Sequence, residues 1–189
     1  MGIHFLGGDG IGRFSTAQLA DVTARPDGTL APIRGGSALG TLEWHPTKSL
    51  DVYFNVGSEY AFRTAYLTST GVAVGYGSPR FNNSGCNTET LPAAGNGGIG
   101  STPNGTLSPS TGAPAGCAGD IRNIMEGTMG FWHRIYNGPY GRVQWGAQYS
   151  YLLKNTWSGN NNNTPAGNPG SAPNAHDNMV WTAFRYYIP

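Results

Sequence analysis

The 189-residue chain is long enough for one or two domains, and its net charge of +1 gives no electrostatic basis for binding nucleic acid. Charged residues make up only 11% of it, and its 30 glycines and 13 prolines argue against a helical protein. No run of about 18 apolar residues occurs, which excludes a transmembrane helix, and the first residues lack the pattern of a secretory signal. We expect either that a signal was removed or that the chain is a piece of a longer protein.

Residues 1–36 are predicted to form an irregular loop segment, or the end of an upstream strand. The stretch "GGDGIG" superficially resembles a nucleotide-binding glycine motif. It lacks the preceding apolar strand and the following helix that give such a motif its function, so it is interpreted as a flexible loop. No cofactor is therefore expected.

Strict alternation of apolar and polar residues begins after residue 36 and predicts antiparallel strands. "SALGTLEWHP" is a short example, and "LDVYFNVGSEYAFRTAYL" is the clearest one. Its even positions are mostly apolar and aromatic, from Leu50 to Tyr66, whereas its odd positions hold charged, amide and small residues. Successive side chains of a strand point to opposite faces, so this pattern is typical of an amphipathic strand.

A connector of roughly fifty residues, about 68–122, follows and contains both cysteines, Cys86 and Cys117. A polar, Gly/Pro-rich stretch with a cysteine near each end favours a disulfide and an oxidising compartment. The alternative is a pair of free thiols.

Three further strands complete the predicted set. They correspond to "IMEGTMGFWHRIY", "YGRVQWGAQYSYLLK" and the final "NMVWTAFRYYIP", the last one after a second long loop at about 155–177. "HPTKS" and "YNGPYG" are short and rich in turn residues, as tight hairpins require. Long loops thus alternate with tight turns, which predicts that all long loops lie at one end of the strands.

This layout resembles the carboxy-terminal part of a bacterial outer-membrane porin-type protein, on the evidence of "LDVYFNVGSEYAF", "GRVQWGAQYSYLLK" and "DNMVWTAFRYYIP". The resemblance covers most of residues 35–189 and implies an up-and-down transmembrane β-barrel with short turns on one side and long loops on the other. In this family the last strand carries an alternating aromatic signal for barrel assembly. Phe184, Tyr186 and Ile188 match its phase, whereas Pro189 stands where a terminal aromatic residue is usual.

The predicted fold class is therefore all-β, with residues 37–189 forming about five or six antiparallel barrel strands. Because the smallest single-chain barrels of this type have eight strands, the barrel must be closed by missing strands or by other copies of the chain. The resemblance implies a passive outer-membrane channel for small hydrophilic solutes, in contact with lipid. The alternative is a structural subunit, a homo-oligomer whose strands combine into a tube or filament, at the cell surface or outside the cell. A secreted β-sandwich with adhesin-like loops is a third, weaker interpretation.

Two sets of candidate residues follow from the alternation. The polar phase, expected to face a lumen, comprises Asp51, Glu59, Arg63, Glu126, Arg134, Arg142, Lys154 and Arg185. The other phase, expected to face lipid or another outward surface, comprises Phe54, Tyr60, Phe62, Trp145, Tyr149, Tyr151, Phe184 and Tyr186. The charges either select solutes in an open pore or pair across strands and fill a closed interior.

No enzyme is expected, since no catalytic constellation stands out. His176 and Asp177 lie at a loop-side rim where some outer-membrane hydrolases have their site, but no partner nucleophile is evident. The four histidines show no metal-ligand spacing, and no metal site is predicted.

Overall fold

The computed structural model describes residues 1–81, 83, 119–159 and 172–189. These residues form ten strands and a single turn of 3-10 helix, Gly12–Phe14, with no α-helix in the described part of the chain. The strands are β1 Gly2–Asp9, β2 Val22–Ala24, β3 Leu30–Pro32, β4 Arg34–Thr47, β5 Leu50–Ala61, β6 Thr64–Leu67, β7 Ala73–Tyr76, β8 Ile121–Gly138, β9 Gly141–Thr156 and β10 Asn174–Tyr187.

Six of these strands form one antiparallel sheet in the order β1-β4-β5-β8-β9-β10. The mostly β architecture and the count of six sheet strands agree with the sequence prediction. The sheet is not closed into a barrel: β1 and β10 are its two edges, and in the described residues each pairs with one neighbour only. The other four strands form two small hairpins, β2-β3 and β6-β7.

The first 36 residues contain more regular structure than an irregular loop would. All eight residues of β1 pair with β4, from Gly2 opposite Thr41 to Asp9 opposite Arg34. Strand pairing uses backbone groups, so a glycine-rich stretch without a clean side-chain alternation can still add to a sheet edge that is already formed.

Residues 10–33, which we call the N-terminal connector, fold back against the sheet. Leu19 and Ile33 from this connector form a buried cluster with Ala61 at the end of β5. The Gly10 amide donates to the Ile33 carbonyl at 2.8 Å, and the Ile33 amide donates to the Asp21 carbonyl at 2.7 Å. These backbone bonds hold both ends of the connector in place, so that its apolar residues stay on the sheet.

The connections between sheet strands differ in length at the two ends of the sheet. Residues 48–49 and 139–140 join neighbouring strands by tight turns, and we call this side the turn end. The N-terminal connector and the described residues 62–81, 119–120, 157–159 and 172–173 lie at the opposite side, the loop end. Cys86 and Cys117 lie outside the described residues, so the disulfide between them stays a prediction.

Candidate functional site on the polar face of the sheet

The strand register assigns the predicted charged residues to one face of the sheet. Residues directly opposite each other on paired antiparallel strands lie on the same face, and neighbours along a strand lie on opposite faces. By this rule the face holding Asp51, which we call the polar face, also holds Glu59, Glu126, Arg134, Arg142, Lys154 and Arg185. Arg63 lies beyond the end of β5 and outside the sheet.

The opposite surface, which we call the apolar face, carries the predicted aromatic residues of the sheet strands. Its aromatic side chains from this set are Phe54, Tyr60, Trp145, Tyr149, Tyr151, Phe184 and Tyr186. Phe62 follows the end of β5, outside the sheet, and its ring contacts that of Tyr60 edge-to-face with the centroids 4.8 Å apart.

Burial on the two faces is the reverse of that in an ordinary water-soluble sheet. On the polar face, Ser150 is only 1% exposed, Gln144 5% and Thr128 8%. On the apolar face, by contrast, Val180 is 79% exposed and Phe184 72%. The reversal also holds within the inner strands, where Met129 on the apolar face is 59% exposed and Tyr149 43%, whereas the edge strand β10 is exposed on both faces.

A chain of hydrogen bonds crosses the middle of the polar face from β5 to β9. The Tyr53 hydroxyl donates to Gln148 Oε1 at 2.8 Å, and the Gln148 amide donates to Ser150 Oγ at 3.0 Å. Ser150 Oγ lies 2.9 Å from Thr128 Oγ1, which in turn donates to Glu126 Oε1 at 3.0 Å. These bonds satisfy polar groups that burial removes from solvent, as a polar interior requires.

Asp51 is the centre of an ion-pair cluster at the turn end. Arg134 donates from its terminal nitrogen to Asp51 Oδ2 at 2.6 Å, and the His45 ring nitrogen Nδ1 lies 2.6 Å from Asp51 Oδ1. Arg134 also donates to the carbonyl of Lys48 in the β4–β5 turn. An open groove of about 470 Å³ runs past these side chains, lined also by Pro46 and Thr47.

Two other arginines near the turn end stack on aromatic rings of the polar face. The Arg185 guanidinium lies 3.7 Å from the Trp132 ring centroid, and that of Arg142 lies 4.1 Å from the Tyr187 centroid. Such contacts attract a cation to the ring electrons and leave the guanidinium edge free to donate. The buried Nε of Arg142 has no hydrogen-bond partner.

At the loop end, the N-terminal connector covers Glu59. The Ala17 amide donates to Glu59 Oε1 at 2.8 Å, while the other carboxylate oxygen is buried without a partner. Arg63 lies over the Trp157 ring, 4.6 Å from its centroid, and bonds to Ser158. Glu59 and Arg63, which the sequence predicts to line a lumen, therefore make contacts with loop-end residues.

Asp120 and Tyr76 form a partly buried polar group among the loop-end connections. The Gly77 amide donates to Asp120 Oδ2 at 2.6 Å, and the Tyr76 hydroxyl donates to the Ile121 carbonyl at 2.7 Å. Burial raises the pKa of Asp120 above its ordinary value, against the lowering effect of the Gly77 bond. Burial and the neighbouring Asp120 charge likewise raise the pKa of Tyr76.

The remaining candidate groups are not brought together. His176 lies opposite Leu153 and Asp177 opposite Leu152, so the two side chains lie on opposite faces of β10. Within the described ranges, no three His, Cys, Asp or Glu side chains are arranged to hold a metal ion. The described residues also include no helix long and apolar enough to cross a membrane. No family model, curated protein or solved structure matches this chain.

Sequence reasoning identified the charged residues of the polar face but missed their aromatic and hydroxyl partners. The alternation in sequence also places Tyr53, Trp132 and Tyr187 on the polar phase, but it predicts no role for them, nor for Thr128 and Ser150. The position of Trp132 did carry a signal. Trp132 is a bulky residue on the polar phase and lies opposite Gly146, so its ring is placed to lie across the glycine.

Proposed function

We propose that this chain supplies strands to a porin-type β-barrel in the bacterial outer membrane, which acts as a passive channel for small hydrophilic solutes. The observation that carries the proposal is the reversed burial of the two faces, with Ser150 1% exposed and Phe184 72% exposed. Transmembrane barrels turn alternate residues toward lipid and toward a polar interior, and this sheet has the corresponding pattern.

The extent of the exposed apolar surface supports a lipid-facing role. Its large side chains come from all six strands of the sheet, and those of β1, β4 and β10 are among the most exposed. Contiguous apolar patches beyond a few hundred Å² are rare on proteins surrounded by water and mark an interaction surface. Lipid covers such a surface without requiring a complementary protein partner.

Strand length and connector placement agree with the same proposal. The inner strands β4, β5, β8 and β9 have 14, 12, 18 and 16 residues, and β10 has 14. About 9–11 residues suffice for a tilted strand to cross a bilayer. The tight turns at residues 48–49 and 139–140 lie at one end of the sheet, and the N-terminal connector and the described parts of the other connections lie at the opposite end, which is the arrangement of outer-membrane barrels.

Ion conductance tests the channel directly. The full chain, purified in detergent and reconstituted in planar bilayers, should give discrete conductance steps that detergent alone does not give. A preparation with intact β-sheet circular dichroism that never conducts would remove the channel function. A chain that stays folded and monomeric in buffer without detergent would instead favour a secreted sandwich.

The alternative function, a multi-chain β-barrel tube or filament, is favoured by a specific observation: neither edge strand has a second partner among the residues that the structure describes. Because the sheet has six strands, the next copy placed in the same orientation would pair its β1 antiparallel to β10. All tight turns would then stay on one side. Native mass spectrometry and electron microscopy of the purified particle separate the two functions. Rings or filaments of several copies support the alternative, and a single-copy particle excludes it.

A further inference from the structure

We propose that the turn end of the polar face is an anion-binding region that gives the channel a preference for small solutes bearing carboxylate or phosphate groups. This inference rests on the proposed function, because it requires the polar face to border the solute path. It concerns three arginines, Arg134, Arg142 and Arg185, which we call the arginine cluster.

The register places the arginine cluster around one residue of β9, Gln144. Arg134 on β8 and Arg185 on β10 are both directly opposite Gln144. The side chains of Arg134, Gln144 and Arg185 therefore lie on the polar face in one row. Arg142 lies two residues before Gln144 on the same strand and therefore on the same face. Since neighbouring strands are about 4.8 Å apart, Arg134 and Arg185 start from backbones only about 10 Å apart.

Nearby carboxylates balance only part of this positive charge. Asp51 bonds to Arg134, and it is shared with His45. In the described part of the chain, Arg142 and Arg185 form no ion pair and stack instead on Tyr187 and Trp132. Stacking occupies the flat side of a guanidinium and leaves its edge N–H groups for a ligand.

Apart from Asp51, the acidic residues of the polar face lie away from the arginine cluster. Glu126 and Glu59 are toward the loop end, where Glu126 bonds to Thr128 and Glu59 lies beneath the N-terminal connector. Glu43 is nearer the turn end but on β4, three strand spacings from β9 or about 14 Å. Lys154 shares a row with Glu59 at the loop end, whereas at the turn end Asp51 is the only carboxylate among the described residues that forms an ion pair with the arginine cluster.

A bound anion supplies the hydrogen-bond acceptors and the negative charge that the arginine cluster lacks. Guanidinium groups present forks of N–H donors that match carboxylate and phosphate oxygens, and the buried Nε of Arg142 is a donor without a partner. Fixed positive charges beside a narrow water-filled path also raise the local concentration of anions. The geometry therefore favours small anions over cations of similar size.

Reversal potentials in a potassium chloride gradient test the inference. The wild-type channel should prefer chloride to potassium, and millimolar inorganic phosphate should reduce the chloride current. In the Arg142→Gln/Arg185→Gln variant, the reversal potential should shift toward zero and the effect of phosphate should weaken. Arg142→Lys/Arg185→Lys should retain most of the chloride preference. Arg25→Gln, which removes one positive charge from the β2–β3 hairpin outside the main sheet, should change neither quantity.

Failure of this inference is distinguishable from failure of the proposed function. A conducting channel that is non-selective or prefers potassium, or one that the double glutamine variant leaves unchanged, overturns the anion region and leaves the channel standing. If no conductance appears, fluorescence quenching in detergent still tests the cluster. The emission of Trp132 is obtained as the difference between the wild type and Trp132→Phe. Iodide should quench this emission more strongly than caesium does. In the Arg142→Gln/Arg185→Gln variant, that difference between the two ions should disappear. Equal quenching by the two ions overturns the anion region.

Discussion

The phenol of Tyr53 lies against Gly130, its direct partner on the neighbouring strand, and reaches past it to Gln148 on the strand beyond. A Cβ atom built at Gly130 would lie 2.5 Å from the Tyr53 hydroxyl oxygen and 2.9 Å from the Ala147 carbonyl oxygen. The hydrogen bond across β8 thus exists because residue 130 has no side chain.

Gly130→Ala should destabilise the sheet by about 1–3 kcal/mol, the usual cost of forcing an extra methyl group into a packed site. The methyl group would displace the Tyr53 ring and break its bond to Gln148. Gly127→Ala on the same strand is the matched control, since nothing lies within 4 Å of a Cβ there. Urea unfolding of both variants in the same detergent checks this prediction. Equal stability of the two variants would contradict it.

Charge substitutions at Met179 and Val180 should separate the two faces of β10. These residues are consecutive, but Val180 lies on the apolar face and is 79% exposed, whereas Met179 is half-buried on the polar face. If lipid covers the apolar face, Val180→Lys should cost about 2–4 kcal/mol in lipid vesicles, the penalty known for lysine near the midplane. Met179→Lys should cost less, because its ammonium can reach the polar interior.

Denaturant unfolding in vesicles measures both values. A cost for Val180→Lys within about 0.5 kcal/mol of zero, as for an ordinary surface substitution in water, would contradict a lipid-facing surface. A cost for Met179→Lys larger than that for Val180→Lys would mean that the lipid-facing side has been assigned to the wrong face.

Asp51→Asn should destabilise the protein by about 1–3 kcal/mol, because it leaves the partly buried Arg134 without its carboxylate. Asp9→Asn is the control, since the Asp9–Arg34 pair is largely exposed and exposed ion pairs contribute about 0–1 kcal/mol. Thermal unfolding at low and high salt gives the comparison. If the Asp9 variant loses as much stability as the Asp51 variant, the ion-pair cluster at the turn end contributes no more than a surface contact.

Asp120 should make stability fall as pH rises. Burial raises its pKa in the folded protein above the ordinary value of 3.8, so in the window between these two values the folded state binds more protons than the unfolded state. The contribution of this carboxyl group is therefore most favourable when it is protonated, and it is lost as pH rises through the raised pKa. Asp120→Asn, which can still accept from the Gly77 amide, should remove that decline.

Thermal unfolding from about pH 2 to about pH 8, which covers both lowered and elevated carboxyl pKa values, measures this dependence as the difference between wild type and variant. Asp27→Asn is a control of opposite sign, because hydrogen bonds from Thr29 lower the pKa of Asp27. That carboxylate stabilises the protein at pH values above its ordinary pKa, and the stabilisation is lost as pH falls through the lowered pKa. A wild-type minus Asp120→Asn difference that does not change with pH would contradict the burial argument.

Most of the polar face could be predicted from sequence because alternation is a local property. Once "LDVYFNVGSEYAF" is a strand, the period of two places Asp51 and Glu59 on one face and Phe54 and Tyr60 on the other, whatever the neighbouring strands are. Prediction failed where regular pairing stops. Phe62 and Arg63 continue the alternation in sequence, yet β5 ends at Ala61 and both side chains make loop-end contacts.

A second departure occurs at Ile135, which in sequence continues the apolar alternation of Met129 and Phe131. The register shifts between Arg134 and Tyr136, so that Tyr136, and not Ile135, pairs with Val143. A bulge inserts one unpaired residue and changes the face of those that follow, and no local pattern in "WHRIYNG" marks its position.

The sequence by itself determined that this chain forms long amphipathic antiparallel strands, and which side chains share a face, because both depend on neighbours one or two residues apart. Only the tertiary structure decided that β1 pairs with β4, that the N-terminal connector buries Glu59, and that Arg134 bonds to Asp51 across 83 residues of chain. These contacts depend on strand order, register and the path of long connectors. Their physical basis is cooperative: each backbone pairing positions the next strand, and side chains distant in sequence meet only after that pairing has formed.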